Sequence, residues 1–183
     1  MQIAFNNYVI RIRRLFFNLL PIKLTYHMIN KQPANQSAAA LVKTTIIIHM
    51  ALAAGQILFA AVTFLIQKPS TGTNNDMLIF IVPAITVTSF AAGHLLFKKL
   101  IGNINSQSPL KAKLISYQSA TLIRLALLEG PSLFAIVSFL ITGKLVFIGI
   151  AAAIILYFIY LRPTKQKIED DLNLGYDEKA ELN

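Results

Sequence analysis

Residues 122–142 read LIRLALLEGPSLFAIVSFLIT, an apolar run that carries Arg124, Glu129 and Pro131. A charge at the centre of a membrane helix costs about 2.5–3.5 kcal/mol on insertion scales. Either something compensates these charges or the segment is not in a membrane. The rest of the chain decides between the two.

The chain has 183 residues, 55% of them hydrophobic and 14% charged, with a mean hydropathy of +0.60. An average soluble domain is about 45–50% apolar and about 25% charged, so too few charges are present to cover this much apolar surface in water. The apolar residues lie in four runs. Residues 44–67 and 77–97 contain no Asp, Glu, Lys or Arg; 114–143 is interrupted by charge only at Arg124 and Glu129; 145–161 is flanked by Lys144 and Arg162. A spanning helix needs roughly 17–25 such residues. The expected fold is therefore an all-α, integral membrane four-helix bundle with spans at about 44–67, 77–98, 114–142 and 144–162. The last is short and relies on flanking cations that reach outward along their stems.

The net charge of +9 orients the chain. Arg11, Arg13, Arg14, Lys23, Lys31 and Lys43 precede the first span; Lys98, Lys99, Lys111 and Lys113 fall in the second connection; Arg162, Lys165, Lys167 and Lys179 follow the last span. Only Lys68 and Lys144 fall in the other two connections. The positive-inside rule then puts both termini in the cytoplasm. Because the basic excess sorts by side of the membrane and no nucleic-acid-binding motif occurs, no nucleic acid is expected as a partner.

Short signals mark the connections. KPSTGTNND (68–76) is turn-rich, and Ser108 with Pro109 suits an N-cap and first helical position. Gly143 stands where a helix C-terminus favours glycine, which would make the last two spans a tight hairpin. The tail, 163–183, holds six of the eight acids and three lysines; Ile168, Leu172 and Gly175 suggest a short amphipathic helix ending at the glycine.

Residues 1–43 form a basic N-terminal segment with an amphipathic helix expected at about 5–20. Asn7, Arg11, Arg14 and Asn18 make a polar stripe opposite Val9, Ile12, Phe16 and Leu20, although Arg13 falls on the apolar side. Pro21 ends it. Arg11 and Arg14 would contact anionic lipid headgroups at the bilayer surface. Two other readings stay open: a presequence-like, acid-free start, and initiation at Met28.

A shift of 75 residues sets HMALAAGQILFAAVTFLI (49–66) against RLALLEGPSLFAIVSFLI (124–141), with ten of eighteen positions identical. LIFI (78–81) matches LVFI (145–148) more weakly. The expected origin is a duplicated helical hairpin whose halves run the same way through the membrane. Arg124 takes the place of His49 and Glu129 that of Ala54, so the polar chemistry differs between the halves.

The candidate proton or ion site comprises Glu129, Arg124, His49, His94 and Gln56. Arg124 and Glu129 lie about 140° apart on an ideal helix, too far round to pair within it, so Glu129 is expected to turn into the bundle toward His49, Gln56 or His94. Pro131, with Gly130 before it, and Pro83 are expected helix kinks, freeing the carbonyls of Leu127 and Ile79. The bland alternative has Arg124 and the histidines snorkelling to the interface and Glu129 serving as a structural acid. The pairs Ala51/Gly55, Ser89/Gly93 and Gly149/Ala153 read as packing seams.

Cysteine is absent, which removes disulfides and thiolate metal sites. No Ser/His/Asp spacing, carboxylate pair, Walker loop or HExxH motif occurs. No enzyme activity, cofactor or metal is expected; two lone histidines offer only a weak case for haem.

IRLALLEGPSLFAIVSFLITG, followed by RPTKQKIEDDL, resembles a set of small bacterial four-span membrane proteins of uncharacterised function. The resemblance covers the chain from about Thr44 to the tail and implies an inner-membrane protein without implying an activity. LALLEGPSLFAIV is also similar to the acid-bearing helix of the proton-carrying rotor subunit of ATP synthases. However, the glycine-repeat helix of that subunit is missing, and Glu129 lies on the first helix of its hairpin. Small multidrug transporters place their membrane Glu in the first span and are shorter. The function expected is a non-enzymatic structural or accessory membrane component, with a homo-oligomer or a membrane complex as its setting. The alternative is a small proton-coupled transporter or conductance built on Glu129.

Overall fold

The computed structural model describes residues 37–67 and 77–182. The amphipathic helix expected at 5–20, with Arg11 and Arg14, and the turn-rich 68–76 lie outside the described residues. Every regular element described is helical: α1 (Ala38–Ile66), α2 (Met77–Gly102), α3 (Leu110–Thr142), α4 (Leu145–Tyr160), α5 (Lys165–Asp171) and α6 (Tyr176–Ala180).

Three of these helices, α1, α2 and α3, are individually long and apolar enough to cross a membrane. The 16-residue α4 rises about 24 Å against a hydrocarbon core of about 30 Å. It qualifies only together with α5, from which it is bent by 80°. The protein is thus a helical, multi-pass membrane protein with three helices able to span, or four when α4 and α5 count as one path.

The helices overrun the apolar stretches where capping and propensity favour it. Ser37 caps α1 by accepting the Ala40 N–H at 3.2 Å, and the alanines that follow are the best helix formers, so α1 starts six residues before the apolar run. At α3 the expected cap shifts by one: Pro109 holds the cap position without a side-chain bond, and its carbonyl accepts from Ala112 and Lys113. Gly143 closes α3 as expected, in the left-handed conformation at φ 67° with its N–H on the Phe139 carbonyl. Both α2 and α3 continue as helices through Pro83 and Pro131.

In the described unit, Ser37 onward, α3 is the central helix. It packs against α1, α2 and α4, while α1 and α2 have little direct contact. Gly93 is buried where α2 meets α3: a Cβ there would meet Leu127 Cβ at 3.7 Å and Arg124 Cγ at 3.8 Å, ordinary contact distances. Of the expected packing seams, this one holds; Ala51, Gly55, Gly149 and Ala153 are exposed. One core cluster joins Ala53, Leu125, Leu128, Ile154 and Phe158. A second joins Val82, Ala135, Ile136, Phe139 and Phe147 nearer the Gly143 turn.

The tail folds back onto the bundle. Ile168, Leu172, Leu174 and Leu182 are buried against Ala38, Leu41, Leu110, Leu114 and Tyr117, so the starts of α1 and α3 and the tail share one end. The single helix expected to finish at Gly175 is instead two short ones. Asn173, at φ 47°, breaks the chain after α5, a left-handed conformation that asparagine tolerates better than most residues. Gly175 then opens α6, its N–H donating to Glu178 Oε2 at 3.1 Å.

Candidate functional site

Helix α1 turns a polar row toward α3 and α4. Thr45, His49, Gln56 and Thr63 are all buried, and the last three recur every seven residues, which keeps them on one helix face. They extend over about 21 Å of helix. On α3 the buried polar residues include Thr121, Ser132, Ser138 and Thr142. The two helices run side by side in the same direction, for Phe64 stacks on Phe139 at 6.0 Å and Gln67 touches Gly143 one turn further along.

Part of this row is satisfied within its own helix. Thr45 donates to the Leu41 carbonyl at 2.9 Å, Ser138 to Phe134 at 2.8 Å and Thr142 to Ser138 at 2.7 Å. Both ring nitrogens of His49, both amide atoms of Gln56 and the hydroxyls of Thr63, Thr121 and Ser132 have no hydrogen-bond partner among the described residues. The His49 ring stacks on Phe158 of α4 at 4.9 Å. A buried polar atom left unpaired costs about 1–3 kcal/mol.

Arg124 is compensated from another direction. Its Nη2 donates to the Tyr157 hydroxyl at 3.1 Å, and its guanidinium lies 4.7 Å from the Phe97 ring centre. Phe90 packs on Tyr157 at 4.7 Å. A helix-borne cation is thereby held between α2 and α4 by an aromatic cage. Delocalised guanidinium charge suits such faces.

Among the described residues no hydrogen bond or ion pair joins the five residues of the expected constellation to one another. His49 and Gln56 are buried on α1, Arg124 is engaged by Tyr157 and Phe97, and His94 is exposed on α2. Glu129 is partly buried, adjacent to buried Leu128, and makes no hydrogen bond or ion pair among the described residues. Gly130 is exposed and Pro131 buried beside it. No group of three or more His, Cys, Asp or Glu that could hold a metal occurs among the described residues.

A second polar cluster was not read from the sequence. Lys113, 4% exposed, donates to Glu178 Oε1 at 2.7 Å, and the Tyr117 hydroxyl donates to Asp171 Oδ2 at 3.1 Å. The Lys113 bond, seconded by the Gly175 N–H, holds the Glu178 carboxyl below its ordinary value of 4.5. The signal available was the concentration of acids in the tail opposite cations at the start of α3. The seven-residue spacing of His49, Gln56 and Thr63 was equally available.

Compared with known protein families, characterised proteins and solved structures, the chain matches none.

Proposed function

We propose that this chain is a non-enzymatic structural or accessory component of the bacterial inner membrane, a four-span bundle with both termini cytoplasmic. The observation that carries the reading is that no hydrogen bond or ion pair links the ionisable groups of the long helices to one another among the described residues. Arg124 is committed to Tyr157 and Phe97, His94 faces outward, and Glu129 has no partner among the described residues. No hydrogen bond joins these groups to one another among the described residues, and a direct proton relay needs such contacts.

Four crossings are supported by the way the tail packs. It lies against the start of α3, and α3, at 33 residues, rises about 50 Å. A chain that crosses in α3 and returns its tail to the start of α3 must cross again in α4. The cation asymmetry between connections supports a cytoplasmic tail. A duplicated hairpin is supported by burial at the 75-residue shift: Ala38 and Lys113, Thr45 and Ala120, Ala53 and Leu128, Gln56 and Pro131, and Thr63 and Ser138 are buried in both halves. The halves have diverged in packing, since α3 and α4 pack closely whereas α1 and α2 do not.

A second reading, a small proton-coupled transporter or conductance, is favoured by one observation: the unpaired row of His49, Gln56, Thr63, Thr121 and Ser132 between α1 and its neighbours. With Glu129 on the adjoining turn of α3, such a row has the composition of a proton path. Proteoliposomes with an internal pH dye separate the two. The structural reading expects no proton flux above empty vesicles and a stable membrane partner or homo-oligomer on mild extraction. A flux abolished by Glu129→Gln would replace it with the second reading.

A further inference from the structure

Helices α2 and α4 scarcely touch each other, and between them, over the face of α3, runs a cavity of about 360 Å³. Its walls include Pro83, Val87 and Phe90 of α2, Pro131 of α3, and Ala153 and Tyr157 of α4. The volume lies in the range of sites that take small ligands, and the walls are apolar except at Thr86, whose hydroxyl donates to the Val82 carbonyl at 2.8 Å, and at the hydroxyl of Tyr157. That hydroxyl marks one end of the cavity, where it accepts from Arg124.

Arg124 is the second observation. Its partners among the described residues are a neutral phenol and an aromatic ring, and neither carries a negative charge. A guanidinium presents five donors in a planar fork suited to phosphate, and the side chain is only partly buried. Further cationic and aromatic groups lie at the same end. Tyr157 stacks on Tyr160 at 6.3 Å, Lys167 lies 5.7 Å from the Tyr160 ring centre, and Arg162 is exposed just beyond α4. Aromatic and basic residues at one helix end are the composition of a membrane interface. An apolar cleft that ends at a cation with no charged partner among the described residues, beside the aromatic and basic end of α4, is complementary to an anionic amphiphile.

We propose that the cleft between α2 and α4 holds one acyl chain of an anionic phospholipid, whose phosphate sits on the Arg124 guanidinium. The lipid supplies the missing counter-charge and fills the space that the poor contact between α2 and α4 leaves. The Tyr157 hydroxyl holds the guanidinium at the mouth of the cleft.

Native mass spectrometry of the full chain, extracted in mild detergent and titrated with phosphatidylglycerol or phosphatidylcholine of equal chain length, tests this. The expected result is one retained phosphatidylglycerol, favoured over phosphatidylcholine by about tenfold, because the choline cation of phosphatidylcholine offsets its phosphate and leaves the guanidinium without net counter-charge. Arg124→Gln should bring the two lipids to parity, and Arg124→Lys should restore part of the preference. Ala153→Phe, which fills the cleft at an exposed position, should displace both lipids while leaving the fold intact by circular dichroism. Glycerol phosphate, which lacks the acyl chain, should fail to compete. Equal retention of the two lipids by the unaltered chain would overturn the proposal. Retention unchanged by Ala153→Phe, competition by glycerol phosphate, or a lipid-independent dimer that Ala153→Phe dissociates would do the same.

Discussion

Lys113 and Glu178, 65 residues apart in sequence, meet at 2.7 Å. The pair ties the last short helix of the tail to the first turn of the central helix. A lysine that is 4% exposed is buried at tolerable cost because the carboxylate is there to accept its hydrogen bond. Glu178→Gln should therefore loosen the tail by roughly 1.5–3 kcal/mol, the range for a hydrogen bond to a charged group. Limited proteolysis within 163–182 reads the loosening directly.

The same pair makes tail docking sensitive to acid. The Glu178 carboxyl is held below 4.5 by the Lys113 hydrogen bond, seconded by the Gly175 N–H. A carboxyl lowered in the folded state contributes stability that is present above its unfolded value and lost as pH falls through the folded one. Docking should thus be constant from neutral pH down to about 4.5 and weaken below it. Glu178→Gln should remove this part of the acid response. The bond from Tyr117 to Asp171 stays in place in that variant.

Gly143 is constrained twice. Its φ of 67° disfavours any L side chain by about 1–2 kcal/mol, and an added Cβ would lie 2.5 Å from Gln67 Nε2. Gly143→Ala should lower thermal stability in detergent by at least that backbone cost. Gly143→Ala combined with Gln67→Ala should recover only the contact share, which separates the two effects.

At Gly93 the expectation is graded by size. An alanine Cβ would meet Leu127 and Arg124 at ordinary contact distances, so Gly93→Ala should be nearly neutral. Gly93→Phe must push α2 away from α3, and overpacking of this kind costs about 1–3 kcal/mol. Thermal unfolding of both variants in nanodiscs checks the order.

Gln56 buries an amide with neither atom paired among the described residues. If the row along α1 is structural, Gln56→Leu removes an unsatisfied donor and acceptor and should raise thermal stability or leave it unchanged. A large loss of stability would show that the amide is satisfied in the membrane and that the row is in use.

The long helices and the Gly143 turn were legible because they depend on local quantities: run length, charge-free stretches and one residue able to take positive φ. Helix pairing was not. Helices α1, α2 and α4 are apolar on nearly every side, and in lipid no hydrophobic driving force marks the inward face, so nothing in the sequence favours α1 on α3 over α1 on α2. Arg124 stands out in its apolar run as a residue needing compensation, but the run does not show where the compensation comes from. Its compensation comes from Tyr157 and Phe97, which look like ordinary apolar positions in their runs. Tail docking was missed for a related reason: a charged tail with four spaced leucines and isoleucines reads as solvated until Ala38, Leu41, Leu110 and Leu114 supply a surface for it.

The chain contains no cysteine, so single cysteines report their side of the membrane without background. Ser70→Cys, Gln107→Cys, Leu145→Cys and Tyr176→Cys sample the three connections and the tail. An impermeant maleimide applied to intact cells and to inverted membrane vesicles is the measurement to make. With four crossings, positions 70 and 145 react only from outside, and 107 and 176 only from the cytoplasmic face. Reaction of positions 107 and 145 from the same face would mean that α3 does not cross, and would contradict the four-span bundle.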